Sequence, residues 1–433
     1  MVSPVAAMVR LWGREVGAVA WDAQRGVGAF EFTPEFLDAG YDLAPLHMPL
    51  ERAHGAIFEF PALPRETFLG LPGLLADALP DRFGNAIIDA WLARTGRDAA
   101  GFSPVERLCY TGTRGMGALE FAPAIVPALD RSVPVEVGEL VELAQAIVGR
   151  QDGLRGHWGR DERSNRGALL DILRVGTSAG GARPKAVIAM NDEGRILSGQ
   201  TDVPPGYTHW ILKFDGVADL ELGAPKGYGR IEYAYHRMAS AAGIEMRECR
   251  LLEEGGRAHF LTRRFDRDDG GKLHLQSLCG VAHYDFNAAG AYGYEQAFEV
   301  MRRLRLTKAE ALQQYRRMLF NVVARNQDDH TKNIAFLMGR DGRWRLAPAF
   351  DVTYAHNPHG IWTNRHQMSI NGKRDGFTRA DLLGVGRSIG LARPAEVLEE
   401  VVEAVARWPE FAREAGVPAP RIAEIGAEHR LRW

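Results

Sequence analysis

The sequence predicts a mixed α+β protein, strand-rich in its middle and helix-rich toward its end. Strand-like runs alternate with turn signals between residues 170 and 267, while residues 268–433 carry mainly helical periodicity. Ahead of both, residues 1–60 alternate apolar stretches with turn residues, which adds a small, mostly β segment at the start.

The elements follow in order. VRLWGREVGAVAWD and GAFEFTPEFL read as strands, and ETFLGLPGLLADALPDRF and GNAIIDAWLAR, within 66–95, read as helices. PAIVPALDRSVPVEVG (123–138) carries three prolines and no clear period, which marks a domain linker. A helix follows in EVGELVELAQAIVGR. RGHWGRDERSNRG (155–167) is polar and basic without apolar period, and reads as a mobile surface loop rather than a nucleic-acid patch. RVGTSAGGARPKAVIAMNDEGRILSG reads as strand, glycine-rich turn, strand and turn, and YTHWILKF as a further strand. IEYAYHRMASAAGI puts Ile231, Tyr235, Met238 and Ala242 on one helical face. MRECRLLEEGGRAHFLTRRF reads as a hairpin turning at Glu254-Gly255-Gly256. EALQQYRRMLFNVVARN places Leu312, Tyr315, Leu319 and Val322 on one stripe, and IAFLM, GRDG and WRLAPAFDV form a second hairpin. These readings divide the chain into 1–125, 135–267 and 268–433.

Composition narrows the class. The 433 residues are 46% hydrophobic and 25% charged, as in soluble globular proteins. A net charge of −2 gives no whole-protein field toward DNA or an anionic membrane. Cys109, Cys249 and Cys279 are widely spaced and odd in number, which suits a reducing cytoplasm and no disulfide framework. The N-terminal apolar patch is short and broken by Arg10 and Arg14, so neither a signal peptide nor a membrane helix is expected.

The chemistry concentrates in NQDDHTKN (326–333). One His and no Cys make structural zinc a poor fit, whereas the oxygen donors suit Mg²⁺. In phosphoryl-transfer loops an Asp accepts the hydroxyl proton, an Asn five positions later holds Mg²⁺, and a second Asp after a hairpin holds Mg²⁺ too. Asp328, Asn333 and Asp351 stand in that order, and Lys332 is placed to steady the transferring phosphate. Upstream, GTSAGGARPK (176–185) lies between expected strands, and its glycines, Gly180 and Gly181 among them, let backbone N–H groups approach phosphates. It lacks the Lys-Ser/Thr that ends a Walker A loop. Lys213 sits mid-strand in WILKF, with Glu232 on the next helix as its natural partner, since an unpaired buried ammonium is costly. Taken singly, each piece has a bland reading: a plain turn, a solvent-facing lysine, a polar loop. Their order decides: glycine loop, strand lysine, helix glutamate, hairpin, long helix, Asp–Asn loop, hairpin, Asp. That is the order of a protein kinase.

GGARPKAVIAM, WILKF, TRRFDR, NQDDHTKNIAFL, LAPAFDVTYA and MSINGK together resemble HipA, the kinase toxin of bacterial HipA–HipB toxin–antitoxin pairs. PLHMPL, LADALPDRFGNAII and GTRGMGALEF resemble that family's first domain, so the likeness spans nearly the whole chain. It implies a protein-kinase-like two-lobed fold with an additional N-terminal α+β domain, and a serine/threonine protein kinase using ATP and Mg²⁺. By motif match Asp328 is the catalytic base, Asn333 and Asp351 bind Mg²⁺, Lys213 contacts ATP phosphates with Lys185 beside the loop, and the segment from Arg263 to Phe265 is the adenine hinge. The resemblance also implies autophosphorylation at Ser178, next to Thr177, and a protein substrate such as an aminoacyl-tRNA synthetase, notably the glutamyl enzyme. The implied partner is a HipB-like helix-turn-helix antitoxin that carries the operator DNA, with no membrane association. Two departures stand out. Asp329 follows the base where the family often has Gly, and it is expected to face solvent rather than bind Mg²⁺. Leu275-Gln276-Ser277 replaces a Gln-Glu-Asp stretch common in the family.

Other readings compete. A small-molecule kinase of aminoglycoside or choline type commonly carries HGDxxxxN, but Gln327 precedes Asp328 here. A co-repressor without activity has no need of Lys213, Asp328, Asn333 and Asp351. A Mg²⁺ nuclease on Asp328, Asp329 and His330 leaves Lys213 and the glycine loop unexplained.

Overall fold

The computed structural model describes residues 6–126, 129, 131–148, 172–176, 183–217, 227–268 and 271–433. The chain forms two compact units: Met1–Asp42 with Leu50–Gly229 and Glu248–His274, and Leu43–Pro49 with Arg230–Arg247 and Leu275–Trp433.

The first unit opens on an antiparallel sheet of β1 (Ala6–Leu11), β2 (Arg14–Asp22), β3 (Val27–Phe32) and β4 (Leu119–Ala122), in the order β3-β2-β1-β4. Its alternating sequence does what period 2 dictates: Ala7, Val9 and Leu11 of β1 are buried while Ala6 and Arg10 face water. Between β3 and β4 run the helices Arg82–Arg94 and Pro104–Thr111. Asp81 caps the first by accepting from Gly84 N at 2.6 Å. Ser103 and Glu106 form a reciprocal capping box on the second.

The same unit holds a five-stranded sheet of β5 (Lys185–Asn191), β6 (Ile196–Ser198), β7 (Tyr207–Lys213), β8 (Cys249–Glu254) and β9 (Arg257–Arg263), in the order β6-β5-β7-β9-β8. The β8–β9 hairpin turns at Gly255 and Gly256, whose φ of 54° and 79° favour glycine. A short hairpin, β10 (Arg267–Asp268) with β11 (Gly271–Lys272), follows β9. The proline-rich segment expected as a linker is drawn onto this sheet. Ser198 N donates to Val133 O at 2.8 Å and Val135 N to Ile196 O at 3.3 Å, so residues 133–135 extend the β6 edge. The stretch before the glycine loop also departs from expectation. Residues 172–175 are helical rather than extended, and Gly176 N donates to Ile172 O at 2.8 Å. A short run of Ile, Leu and Val fits either state by pattern alone; here burial of Ile172, Leu173 and Val175 beside Ile87 and Leu140 decides it.

The second unit is mainly helical, with a three-stranded sheet of β12 (His274–Ser277), β13 (Ala335–Met338) and β14 (Trp344–Leu346). Its core is built around the helix Lys308–Val323, started by the Thr307–Glu310 capping box. Tyr315, Leu319 and Val322 are fully buried on the expected stripe, and Leu312 packs at its margin. Ile231, Tyr235, Met238 and Ala242 are buried in the same core, as the 3.6-residue period requires. Each fully buried Ile, Leu, Val or Met among them contributes about 1.5–3 kcal/mol of burial. The Leu275-Gln276-Ser277 departure has structural roles. Gln276 Nε2 donates to Leu43 O at 2.8 Å, and Ser277 Oγ accepts from Gly280 N to cap the helix Leu278–Ala282. Among the described residues, no helix is long and apolar enough to cross a membrane.

Candidate active site

The helix Lys308–Val323 delivers the chain into NQDDHTKN through Arg325, whose φ of 58° turns the backbone sharply at the helix end. The loop is pinned from below. Gln327 N donates to Ala355 O at 3.0 Å, Ala355 N to Arg325 O at 3.1 Å, and the Gln327 side chain pairs with His356 Nδ1. A single helical turn at Thr331–Asn333 closes it, with Asn333 N donating to His330 O at 2.9 Å and Thr331 Oγ1 to Tyr284 O at 2.8 Å.

The Asp328 and Asn333 spacing becomes a contact. Asn333 Nδ2 donates to the Asp328 carbonyl at 2.8 Å. That bond engages the amide nitrogen and leaves Oδ1 as an oxygen donor of the type hard cations prefer. The Asp328 carboxylate is 41% exposed, and Trp362 Nε1 donates to its Oδ1 at 2.6 Å. Lys332 Nζ lies 4.5 Å from the Phe286 ring centre, a cation–π distance that holds the ammonium beside the loop. His330 stands between the Phe286 and Trp362 rings, 5.5 and 6.4 Å away.

Asp329 overturns its expected exposure. Its side chain is 1% exposed, and three donors converge on it: Tyr294 Oη at 2.8 Å, His366 Nδ1 at 2.9 Å and Gln367 N at 2.8 Å. Burial alone would raise this carboxyl. The adjacent His366 imidazole and the three hydrogen bonds outweigh it and hold Asp329 below the usual carboxylate range. Neighbouring acids thus do different work, the first facing water and the second anchoring the loop to the segment 366–367. The sequence reasoning missed Tyr294, His366 and Trp362; the MSINGK motif begins two residues after His366 and includes none of them.

Asp351 lies beyond β14 in the same unit, half-buried, with φ of 56°. A left-handed conformation is strained for a residue bearing Cβ, although Asp tolerates it better than most. An acid where glycine would sit more easily points to a use for the carboxylate. Glu232 also lies in this unit, buried on the helix Tyr228–Ala241.

The remaining expected residues lie in the first unit. Lys185 and Lys213 are direct cross-strand partners on β5 and β7, so both side chains leave the same face of the sheet. Lys185 is 4% exposed, and Lys213 Nζ lies 5.7 Å from the Phe260 ring centre. Arg263 ends β9, and Phe265 is buried just beyond it. The Arg263 and Arg264 amides are engaged by the carbonyls of Glu248 and His209, at 2.9 Å each. Immediately after, Arg264 and Arg267 both grip buried Asp266, at 2.7 and 2.8 Å, and Gly117 N donates to it at 2.6 Å. Burial would raise Asp266, yet the two guanidiniums hold it well below the ordinary range. The GTRGMGALEF segment therefore buttresses the expected hinge within one unit. Gly180, Gly181, Thr177, Ser178 and the basic loop 155–167 lie outside the described residues.

Residues 7–122 match the model of the HipA N-terminal domain, and residues 177–409 that of the HipA-like C-terminal domain. The chain belongs to the HipA family. Among solved structures it is similar to a chain of the HipA, HipB and operator DNA complex of the Shewanella oneidensis MR-1 toxin–antitoxin system. The TM-score is 0.67 at 17% identity, over 97% of this chain and 94% of that one. This likeness shows the fold: α+β, protein-kinase-like and two-lobed, with an additional N-terminal α+β domain. The Helicobacter pylori proinflammatory kinase CtkA also aligns, at a TM-score of 0.33 and 12% identity over 51% of this chain and 88% of that one, too weakly to add to the argument. No curated protein matches the sequence.

Proposed function

We propose that this HipA-family chain is an ATP-dependent serine/threonine protein kinase, the toxin of a HipA–HipB-like pair. The observation that carries the reading is the closed Asp328–Asn333 loop, with the Asp328 carboxylate open to water on one side. Family membership supports it.

In this mechanism one Asp328 oxygen accepts the proton of a serine or threonine hydroxyl. The freed oxygen forms a bond to the γ-phosphorus of ATP, the bond from that phosphorus to the β–γ bridging oxygen breaks, and ADP leaves. Asn333 Oδ1 and the Asp351 carboxylate are the oxygen donors that would hold Mg²⁺, an ion that takes one or two carboxylates plus substrate phosphates. When bound, Mg²⁺ neutralises phosphate charge. Among the described residues, no cluster of three or more His, Cys, Asp or Glu exists that would hold a metal without substrate. Lys185 and Lys213, cross-strand partners whose side chains leave one face of the sheet, supply the ammoniums for the phosphates. Lys332 steadies the transferring group, and Arg263 to Phe265 border the adenine. Gly180 and Gly181 cover the phosphates, and phosphate on Ser178 switches the enzyme off by repelling ATP. The substrate is a cellular protein, an aminoacyl-tRNA synthetase or another translation component. A HipB-like antitoxin brings the chain to operator DNA.

The test is intact mass before and after incubation with Mg·ATP, with peptide mapping. A gain of one phosphate on the peptide holding Thr177 and Ser178, absent in Asp328→Asn, is the expected result. No gain in a chain that starts free of phosphate removes the kinase reading.

A further inference from the structure

We propose that Trp362 is a positioning residue for the Asp328 base: its indole N–H holds Oδ1 and so turns Oδ2 toward the substrate hydroxyl. This rests on the reading of Asp328 as the base.

A carboxylate that is 41% exposed has a broad terminal torsion and no fixed orientation of its own. A base works best when its accepting oxygen is already aimed at the proton. Among the described residues, the Trp362 indole is the side chain within hydrogen-bond distance of the Asp328 carboxylate, at 2.6 Å, while His330 Nε2 is 3.9 Å away. The type of donor matters. Indole N–H donates only, so Trp362 fixes one oxygen without competing for the substrate proton. A lysine or arginine in its place would pair with the carboxylate as a charge and hold it against the reaction.

Trp362 is itself fixed. Its carbonyl accepts from Gln367 Nε2, and Gln367 N in turn donates to Asp329 Oδ1 at 2.8 Å. Asn357 N donates to Thr363 O at 3.2 Å, which folds the tip back on itself. One short segment therefore reaches both neighbouring acids: 366–367 anchors Asp329, and 362 orients Asp328. General burial of apolar residues does not explain the placement, because Ile361, next in the chain, is 98% exposed.

The experiment compares full-length wild type, Trp362→Phe, Trp362→Gln and Asp328→Asn, each freed of phosphate. The rate of phosphate gain is followed by intact mass across ATP concentrations at fixed Mg²⁺, alongside thermal unfolding. Trp362→Phe keeps an aromatic ring and loses the N–H. Its maximal rate is expected to fall roughly 10- to 100-fold, the scale of a misplaced reacting group. Half-saturating ATP and Tm stay at wild-type values, the signature of an interaction that acts on turnover. Trp362→Gln, which restores an N–H donor on a flexible chain, recovers part of the rate. An unchanged or faster maximal rate in Trp362→Phe overturns the proposal. So does a loss matched by an equal rise in half-saturating ATP, or by a lowered Tm, either of which marks a structural role. A wild type that gains no phosphate removes the kinase reading and this proposal together. A wild type that gains it beside an unaffected Trp362→Phe removes this proposal alone.

Discussion

Replacing Asp329 by alanine tests whether a buried carboxylate fixes the active loop. The substitution leaves three donors facing an empty, dry site: Tyr294 Oη–H, His366 Nδ1–H and the Gln367 backbone N–H. A buried donor without a partner costs about 1–3 kcal/mol. Moving the His366 proton to Nε2 brings no relief, since that nitrogen is buried without a partner, so the expected loss is roughly 3–9 kcal/mol, against a total stability of about 5–15 kcal/mol for a domain. Asp329→Asn separates the charge from the hydrogen bonds. Its amide oxygen still accepts from Gln367 N, and its NH₂ faces a hydroxyl and an imidazole that can both turn acceptor. That variant is expected to lose about 1–2 kcal/mol. Urea unfolding followed by tryptophan fluorescence reads both, with Tyr294→Phe as a control that removes one donor together with its need. An Asp329→Ala chain within about 1 kcal/mol of wild type, less than a single orphaned donor should cost, refutes the anchoring argument.

Four further outcomes are expected. His209, His236 and His429 are pushed down to about 4, and His274 and His283 to about 3, foremost because burial disfavours the imidazolium. The unfolded chain then binds protons below about 6.5 that the folded chain refuses, so stability is flat above that pH and falls below it by about 1.4 kcal/mol per pH unit per histidine. A urea midpoint that holds steady from pH 7.5 to 5.5 contradicts this. Asp351→Gly suits a left-handed φ of 56° but removes the carboxylate and should abolish phosphoryl transfer; retained transfer removes Asp351 from the site. Asp266→Ala strands two buried guanidiniums and should cost about 3–5 kcal/mol, read as a lower denaturation midpoint. Leu319→Ala opens a cavity in a fully buried stripe and should cost about 2–5 kcal/mol by the same measurement.

The elements that read cleanly from sequence were those whose period is long or whose turn chemistry is strict. The stripe of Tyr315, Leu319 and Val322 runs over about two turns of a 16-residue helix, and Gly255-Gly256 admits few alternatives to a hairpin. Residues 172–175 were misread because four residues are too few for a period to show. The proline-rich 123–138 segment was half legible. Its prolines mark a break in pattern, but the docking of 133–135 on the β6 edge depends on a strand some sixty residues later.

The site divides along the same line. The Asp328-to-Asn333 spacing survives folding because five residues span a single turn, and a local geometry is set locally. Asp328 and Asp329, by contrast, are chemically identical neighbours, and nothing within the octapeptide tells the proposed base from the anchor. What separates them lies more than thirty residues away on either side: Tyr294 before, and Trp362, His366 and Gln367 after. A carboxylate with three buried donors is held charged and immobile, which unfits it to take a proton from a substrate. One with a single donor and an open face is oriented yet free to accept. The assignment of roles in this loop is therefore a property of the segment folded against it, and changes at 362–367 are expected to alter the chemistry at 328 with the octapeptide itself untouched.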